Sequence, residues 1–93
     1  MDTTSINVLV TGGASGIGLG LSKKLNKLGS KVIVIDKNEE QVVTLKNELP
    51  NIEFFNCDIT NYNSLDICIE NIYDSIGCLD VLVNNAGLMT SAP

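Results

Sequence analysis

Four glycines, Gly12, Gly13, Gly16 and Gly18, stand directly behind a run of β-favouring residues, Val8 to Thr11, and an amphipathic segment follows at once. Strand, glycine turn and helix in that order make a seat for a pyrophosphate. Backbone N–H groups at a helix start are unpaired, and the helix macrodipole favours an anion there. The glycines divide the work: Gly12 permits the sharp exit from the strand, Gly16 lets phosphates approach the backbone, and Gly18 lets helix and strand pack closely. A glycine run alone reads equally as a flexible loop, and it is the flanking strand and helix that favour the binding reading. A second group with chemistry is Asp36, eighteen residues after Gly18 at the end of another apolar run. That distance suits the acid that receives the adenosine ribose of a dinucleotide: a carboxylate there accepts from both ribose hydroxyls and repels a 2′-phosphate. The alternative role, a helix N-cap, can be filled by Asn38.

The elements that must position these groups follow from periodicity. Ile6 to Thr11 and Lys31 to Asp36 are near-continuous apolar runs, the pattern of strands buried on both faces of a parallel sheet. Between them a helix is expected from Ser15 or Gly16, with Ile17, Leu21, Leu25 and Leu28 on one face, Lys23, Lys24 and Lys27 on the solvated side, and Gly29 as a left-handed cap. Asn38 to Leu49 reads as a second helix. Asn38 and Gln41 resemble a capping box, Glu39 and Glu40 suit the positive end of the dipole, Val42, Val43, Leu45 and Leu49 form the apolar side, and Pro50 stops the run. Ile52 to Cys57 is a third, less apolar strand suited to an outer position. Thr60 or Asn61 can cap a third helix bearing Leu65, Ile69, Ile72 and Ile76, closed by Gly77, and Leu79 to Asn84 is a fourth strand. The alternation predicts an α/β fold: a partial, Rossmann-like doubly wound parallel sheet of order 3-2-1-4 occupying residues 1–93. The first two helices share one face of that sheet and the third lies alone on the other. Apolar residues of the fourth strand, among Val81, Leu82 and Val83, are therefore expected to lie open on one face.

Composition narrows the function. The chain has 93 residues, enough for one small domain, and 44% hydrophobic with 18% charged residues is a globular rather than a disordered balance. All six cations are Lys, there is no His, and the net charge is −5, which argues against nucleic-acid or acidic-membrane partners. The lack of His removes the usual neutral-pH proton shuttle and the commonest metal ligand, and no metal is expected. Cys57, Cys68 and Cys78 are odd in number without C-x-x-C spacing, as expected of reduced structural thiols in a cytoplasmic protein. No signal peptide and no membrane span are expected.

With these residues placed, the chain resembles the short-chain dehydrogenase/reductase family. Thr11-Gly-Gly-Ala-Ser-Gly-Ile-Gly18 matches that family's T-G-x-x-x-G-I-G loop at each fixed position, Cys57-Asp-Ile-Thr60 is similar to its segment after the third strand, and Leu82-Val-Asn-Asn-Ala-Gly87 to its N-N-A-G motif. The resemblance spans essentially the whole chain. It implies a nicotinamide dinucleotide cofactor, held by Gly12, Ser15, Gly16, Ile17, Gly18 and Asp36, with Asp58 and Ile59 bordering the adenine. It further implies that Asn84 ties the central strands together while Asn85, Ala86 and Gly87 line the cofactor. Asp36, with no cation in the glycine loop, favours NAD over NADP.

The resemblance also implies a hydride transfer between that cofactor and a small alcohol or carbonyl substrate, in a homo-oligomeric parent. A Tyr would move the proton, a Lys four residues on would lower its pKa, and a Ser would polarise the carbonyl. None of these is matched here. Asp66 follows Tyr62 by four residues, Gly77 follows Tyr73 by four, and no Lys follows Lys46. A tyrosine near its unperturbed pKa of about 10 is no base at neutral pH without such help. The chain is therefore expected to be the N-terminal cofactor-binding portion of an oxidoreductase, inactive alone. The alternative is a non-catalytic NAD(H)-binding module or truncated pseudoenzyme. A methyltransferase-like fold would leave Asn84 to Gly87 unexplained, and a P-loop lacks its Gly-Lys-Ser/Thr.

Overall fold

The computed structural model describes residues 6–85. Their alternating apolar runs become β1 (Asn7–Thr11), α1 (Gly16–Lys27), β2 (Lys31–Asp36), α2 (Glu39–Glu48), β3 (Glu53–Asn56), α3 (Tyr62–Ile76) and β4 (Val81–Asn84). The four strands form one parallel sheet in the order β3-β2-β1-β4, the expected doubly wound arrangement. In register, Val8, Leu9 and Val10 pair with Val32, Ile33 and Val34 on one side and with Val81, Leu82 and Val83 on the other.

Alternation along the strands splits the core in two. Val8, Val10, Val32, Val34 and Phe54 meet Val42 and Leu45 of α2 and Leu19 and Leu25 of α1 on one face. Leu9, Ile33 and Ile35 meet Cys57 and the Cys68 and Ile72 side chains of α3 on the other. Only the two central strands are buried on both faces, which is why they are the two continuous apolar runs of the sequence.

The helix ends follow their local chemistry. Leu28 is the C-cap of α1 and precedes Gly29, whose φ of 102° opens the left-handed turn. Gly29 N–H donates to the Asn26 carbonyl (3.1 Å) and Ser30 N–H to that of Leu25 (3.1 Å), the paired bonds of a Schellman motif. Asn38 caps α2 by accepting from Gln41 N–H at 3.1 Å, and Asn61 caps α3 by accepting from Ser64 N–H at 3.2 Å. The Asn38 N–H, which a full capping box would give to the Gln41 side chain, goes instead to Asp36 Oδ1 at 2.9 Å. At the opposite end of the sheet, Asn7 N–H donates to Asp80 Oδ2 (2.7 Å), Asp80 N–H to the Asn7 carbonyl (3.0 Å), and Asn7 Nδ2 to the Cys78 carbonyl (2.8 Å). This clasp fixes the register of β1 against β4.

Four expectations are corrected. Strands β1, β3 and β4 are one or two residues shorter at their ends than their apolar runs. The buried face of α1 is centred on Gly18 and Ser22, and Ile17 and Leu28 are exposed. The 3.6-residue period is right but the face is rotated, because the helix sits down on its smallest residues and hydrophobicity does not mark those. Val43 of α2 is likewise exposed. Finally, β4 is open on both faces and not on one. Leu82 (58% exposed) shares the α3 face with Leu9, and Val81 (44%) lies on the opposite face with Val8. The reason is that α1 packs chiefly over β2 and β1.

An edge strand with exposed apolar side chains templates association. Residues 1–93 are expected to self-associate with rising concentration in sedimentation velocity runs, and the double variant Val81→Lys/Leu82→Lys is expected to shift the distribution towards monomer. An unchanged distribution would exclude this edge as the contact.

Candidate functional site

The carboxyl ends of β1, β2, β3 and β4 bring the motif residues to one edge of the sheet. The loop from Gly12 to Ser15 leaves β1 there, Asp36 closes β2, Asp58 and Ile59 follow β3, and Asn84 and Asn85 end β4. Ala86 and Gly87 lie outside the described residues.

Gly12 exits the strand at φ 67°, and its N–H donates to the Ile35 carbonyl at 2.8 Å, so the loop turns against β2. Gly18 sits where no side chain fits. A Cβ there would stand 2.3 Å from the Gly12 carbonyl oxygen and 2.6 Å from Asn85 Nδ2. Gly13 is constrained too, which the sequence reading did not assign: its Cβ would lie 2.8 Å from Val34 Cγ1 and 3.0 Å from Ser22 Oγ. Gly16 differs in kind. At φ 56° it faces open space, with nothing within 4 Å of a Cβ position.

The start of α1 is left open. Whereas Asn38 and Asn61 cap their helices, Ser15 at the α1 N-cap makes no capping bond and the first turn holds no acidic residue. The positive end of the α1 dipole is thus uncompensated beside the glycine that faces open space. That is the arrangement an anion takes at a helix N-terminus. Ile17, 83% exposed, stands beside it.

Asp36 is half-buried next to this opening. Its Oδ2 accepts from Ala14 N–H at 3.0 Å and its Oδ1 from Asn38 N–H at 2.9 Å, so each oxygen keeps acceptor capacity for a further donor. The bond to Ala14 could not have been read from sequence, since it spans 22 positions and involves an amide without a side-chain signature. Asp58 is exposed. Its Oδ1 accepts from the Thr60 hydroxyl at 2.7 Å and the Thr60 N–H at 2.9 Å. These bonds, with a smaller contribution from the Lys37 charge, hold the carboxyl below the usual carboxylate range, so it is ionised at neutral pH.

At the end of β4, Thr11 Oγ1 donates to Asn84 Oδ1 at 3.1 Å, joining β1 to the edge strand β4. Asn85 Nδ2 donates to the Gly12 carbonyl at 3.1 Å, so this side chain braces the glycine loop from the β4 side. A cleft of about 380 Å³ between α3 and the sheet opens from this edge, where Thr11, Ile59 and Asn84 line it, and continues along apolar side chains, among them Leu65, Ile69 and Leu82. Cys57 and Cys68 are buried thiols in the core on this side, and burial beside Cys57 pushes Cys68 up to about 12. Both are packing residues, and Cys68 carries no thiolate character at neutral pH. Among the described residues no cluster of His, Cys, Asp and Glu could hold a metal, and no helix is long and apolar enough to cross a membrane.

Comparison with known proteins gives the same class. Residues 6–93 match the family described as short chain dehydrogenase, and the chain belongs to that family. It is 40% identical over 88 residues to an uncharacterized oxidoreductase, DltE, of Bacillus subtilis, and 38% identical over 88 residues to the 3-oxoacyl-[acyl-carrier-protein] reductase FabG of Rickettsia prowazekii. Each alignment covers 95% of this chain and 35% of the relative, so the chain spans about a third of those proteins' length. Among solved structures it superposes on a short chain dehydrogenase from Bacillus anthracis with a TM-score of 0.81 at 28% identity, covering 91% of this chain and 36% of that one. A 3-ketoacyl-(acyl-carrier-protein) reductase from Brucella melitensis complexed with NADH gives 0.76 at 27% identity, covering 83% and 32%. The family is one of oxidoreductases using NAD or NADP.

The steric claim at Gly18 has a direct test. Gly18→Ala drives a methyl into the Gly12 carbonyl and is expected to lower unfolding free energy by roughly 2–3 kcal/mol in urea titrations, the range of an overpacked core position. Gly20→Ala, with nothing within 4 Å of its Cβ position, is expected to be neutral or slightly stabilising. Equal effects of the two would contradict the close approach.

Proposed function

We propose that residues 1–93 are the NAD-binding portion of a short-chain oxidoreductase whose parent transfers hydride between NAD(H) and a small alcohol or carbonyl substrate. The observation that carries the reading is the uncapped start of α1 at Gly16, with the Asp36 carboxylate beside it. Gly12, Ser15, Gly16, Ile17 and Gly18 would border the pyrophosphate and Asp36 would accept from the ribose hydroxyls. Asp58 and Ile59 would meet the adenine, and Asn85, with Ala86 and Gly87, would form the nicotinamide side. When bound, the nicotinamide supplies or receives the hydride. The residues of this chain bind and orient it, and no residue of 1–93 is assigned a catalytic role. The Ser, Tyr and Lys that resemblance to the family calls for have no counterpart here, and the parent is proposed to be a cytoplasmic homo-oligomer. NAD is preferred because the Asp36 carboxylate and a 2′-phosphate repel, although Lys37 softens that preference.

Isothermal titration tests this reading. NAD⁺ is expected to bind at least about tenfold more tightly than NADP⁺, as like charges in contact dictate. Asp36→Ala is expected to weaken NAD⁺ and narrow the gap. Tighter NADP⁺ binding by the unmodified chain would overturn the assignment of Asp36. Purified residues 1–93 are expected to show no NAD-dependent turnover of an alcohol panel. Turnover would contradict the absence of a catalytic residue.

A further inference from the structure

Each of the three oxygens of Asp36 already accepts at least one hydrogen bond. Its main-chain carbonyl accepts from Cys57 N–H at 2.9 Å and from Asn56 Nδ2 at 3.1 Å, which pins the residue to β3. Its carboxylate accepts from Ala14 N–H in the glycine loop and from Asn38 N–H at the start of α2. The neighbouring Ile35 carbonyl accepts from Gly12 N–H. Two N–H groups of the loop are therefore held by two consecutive residues of β2, and the second of these holds is a side chain.

We propose that Asp36 is a positioning residue for the glycine loop as well as a ribose acceptor, and that its locked carboxylate, in addition to its charge, sets the discrimination against a 2′-phosphate. This inference rests on the reading of the site given above. With one backbone N–H on each oxygen, the carboxylate still has room for one hydroxyl on each, which matches a ribose diol. A 2′-phosphate requires the carboxylate to swing aside, and that movement breaks the bonds to Ala14 and Asn38 together. Neutralising the charge without changing the shape does not solve the problem. An Asn at this position has one oxygen and one NH₂ group. Whichever way the amide turns, a donor faces either the Ala14 or the Asn38 N–H, and a bond made between donor and acceptor is replaced by two opposed donors. The loop that seats the pyrophosphate then loses a support whether or not the ligand carries a 2′-phosphate.

The test combines amide hydrogen exchange in the full 93-residue chain with titration of NAD⁺ and NADP⁺ into the unmodified chain and Asp36→Asn. Exchange at Ala14 is expected to be slow in the unmodified chain and about tenfold or more faster in Asp36→Asn, as loss of a charge-assisted hydrogen bond implies. NAD⁺ affinity is expected to fall in Asp36→Asn with no gain for NADP⁺. Unchanged Ala14 exchange, or Asp36→Asn binding NADP⁺ as well as the unmodified chain binds NAD⁺, would overturn the proposal and leave charge as the sole discriminator. If the unmodified chain binds neither dinucleotide, the site reading and the specificity claim fall together, and the Ala14 exchange result still decides the positioning role. Should Asp36→Asn not fold, the unmodified chain decides. A scalar coupling across the hydrogen bond between the Ala14 amide and the Asp36 carboxyl carbon supports the lock, and its absence with fast Ala14 exchange refutes it.

Discussion

The absence of a side chain at Gly18 is the constraint on which this structure depends. A Cβ there would lie 2.3 Å from the Gly12 carbonyl oxygen, so the first turn of α1 can rest on the end of β1 only because none exists. That contact fixes where α1 begins. It also places Gly16 and the uncapped N–H groups at the carboxyl edge of the sheet, and brings Asn85 Nδ2 within 3.1 Å of the Gly12 carbonyl. Ser22, one turn on, continues the same close approach, its hydroxyl donating to the Gly18 carbonyl at 2.8 Å and so remaining satisfied at full burial.

The polar groups at this edge serve two ends. Asp36, Asp58, Thr11 and Asn85 each make bonds that hold backbone in place, and each also lies at the carboxyl edge of the sheet. A binding surface built this way is ordered before a ligand arrives, which lowers the entropic penalty of binding. The ionised state of Asp58 adds to the stability of its turn above the ordinary carboxylate range, and that contribution fades as pH falls through its depressed pKa. The opposite, amino edge of the sheet is tied by the Asn7–Asp80 clasp and carries none of the motif residues.

Much of this was legible in the sequence because the signals are local. Glycines at positive φ, the Asn38 and Asn61 caps, and continuous apolar runs for doubly buried strands each follow from a few neighbouring residues. The strand order followed from short connections and right-handed crossovers. What was not legible depends on distant partners. The rotation of α1 onto Gly18 and Ser22 is decided by Gly12 and Val34, not by the helix's own apolar stripe. The Asp36–Ala14 bond and the steric demand at Gly13 arise only when β2 is laid beside the loop. The exposure of Val81 on the second face reflects how far α1 reaches across the sheet, a length that periodicity does not give.

The central claim is that the carboxyl edge around Gly16 and Asp36 is a dinucleotide site. Amide chemical-shift mapping of the ¹⁵N-labelled chain during NAD⁺ addition tests it most directly. The account predicts that the perturbed amides cluster at Gly12–Gly18, Asp36, Asp58, Ile59 and Asn85, while Asn7 and Asp80 at the far edge stay still. Perturbation confined to the α3–β4 cleft around Leu65, Ile69 and Leu82, or none at saturating NAD⁺, would contradict it.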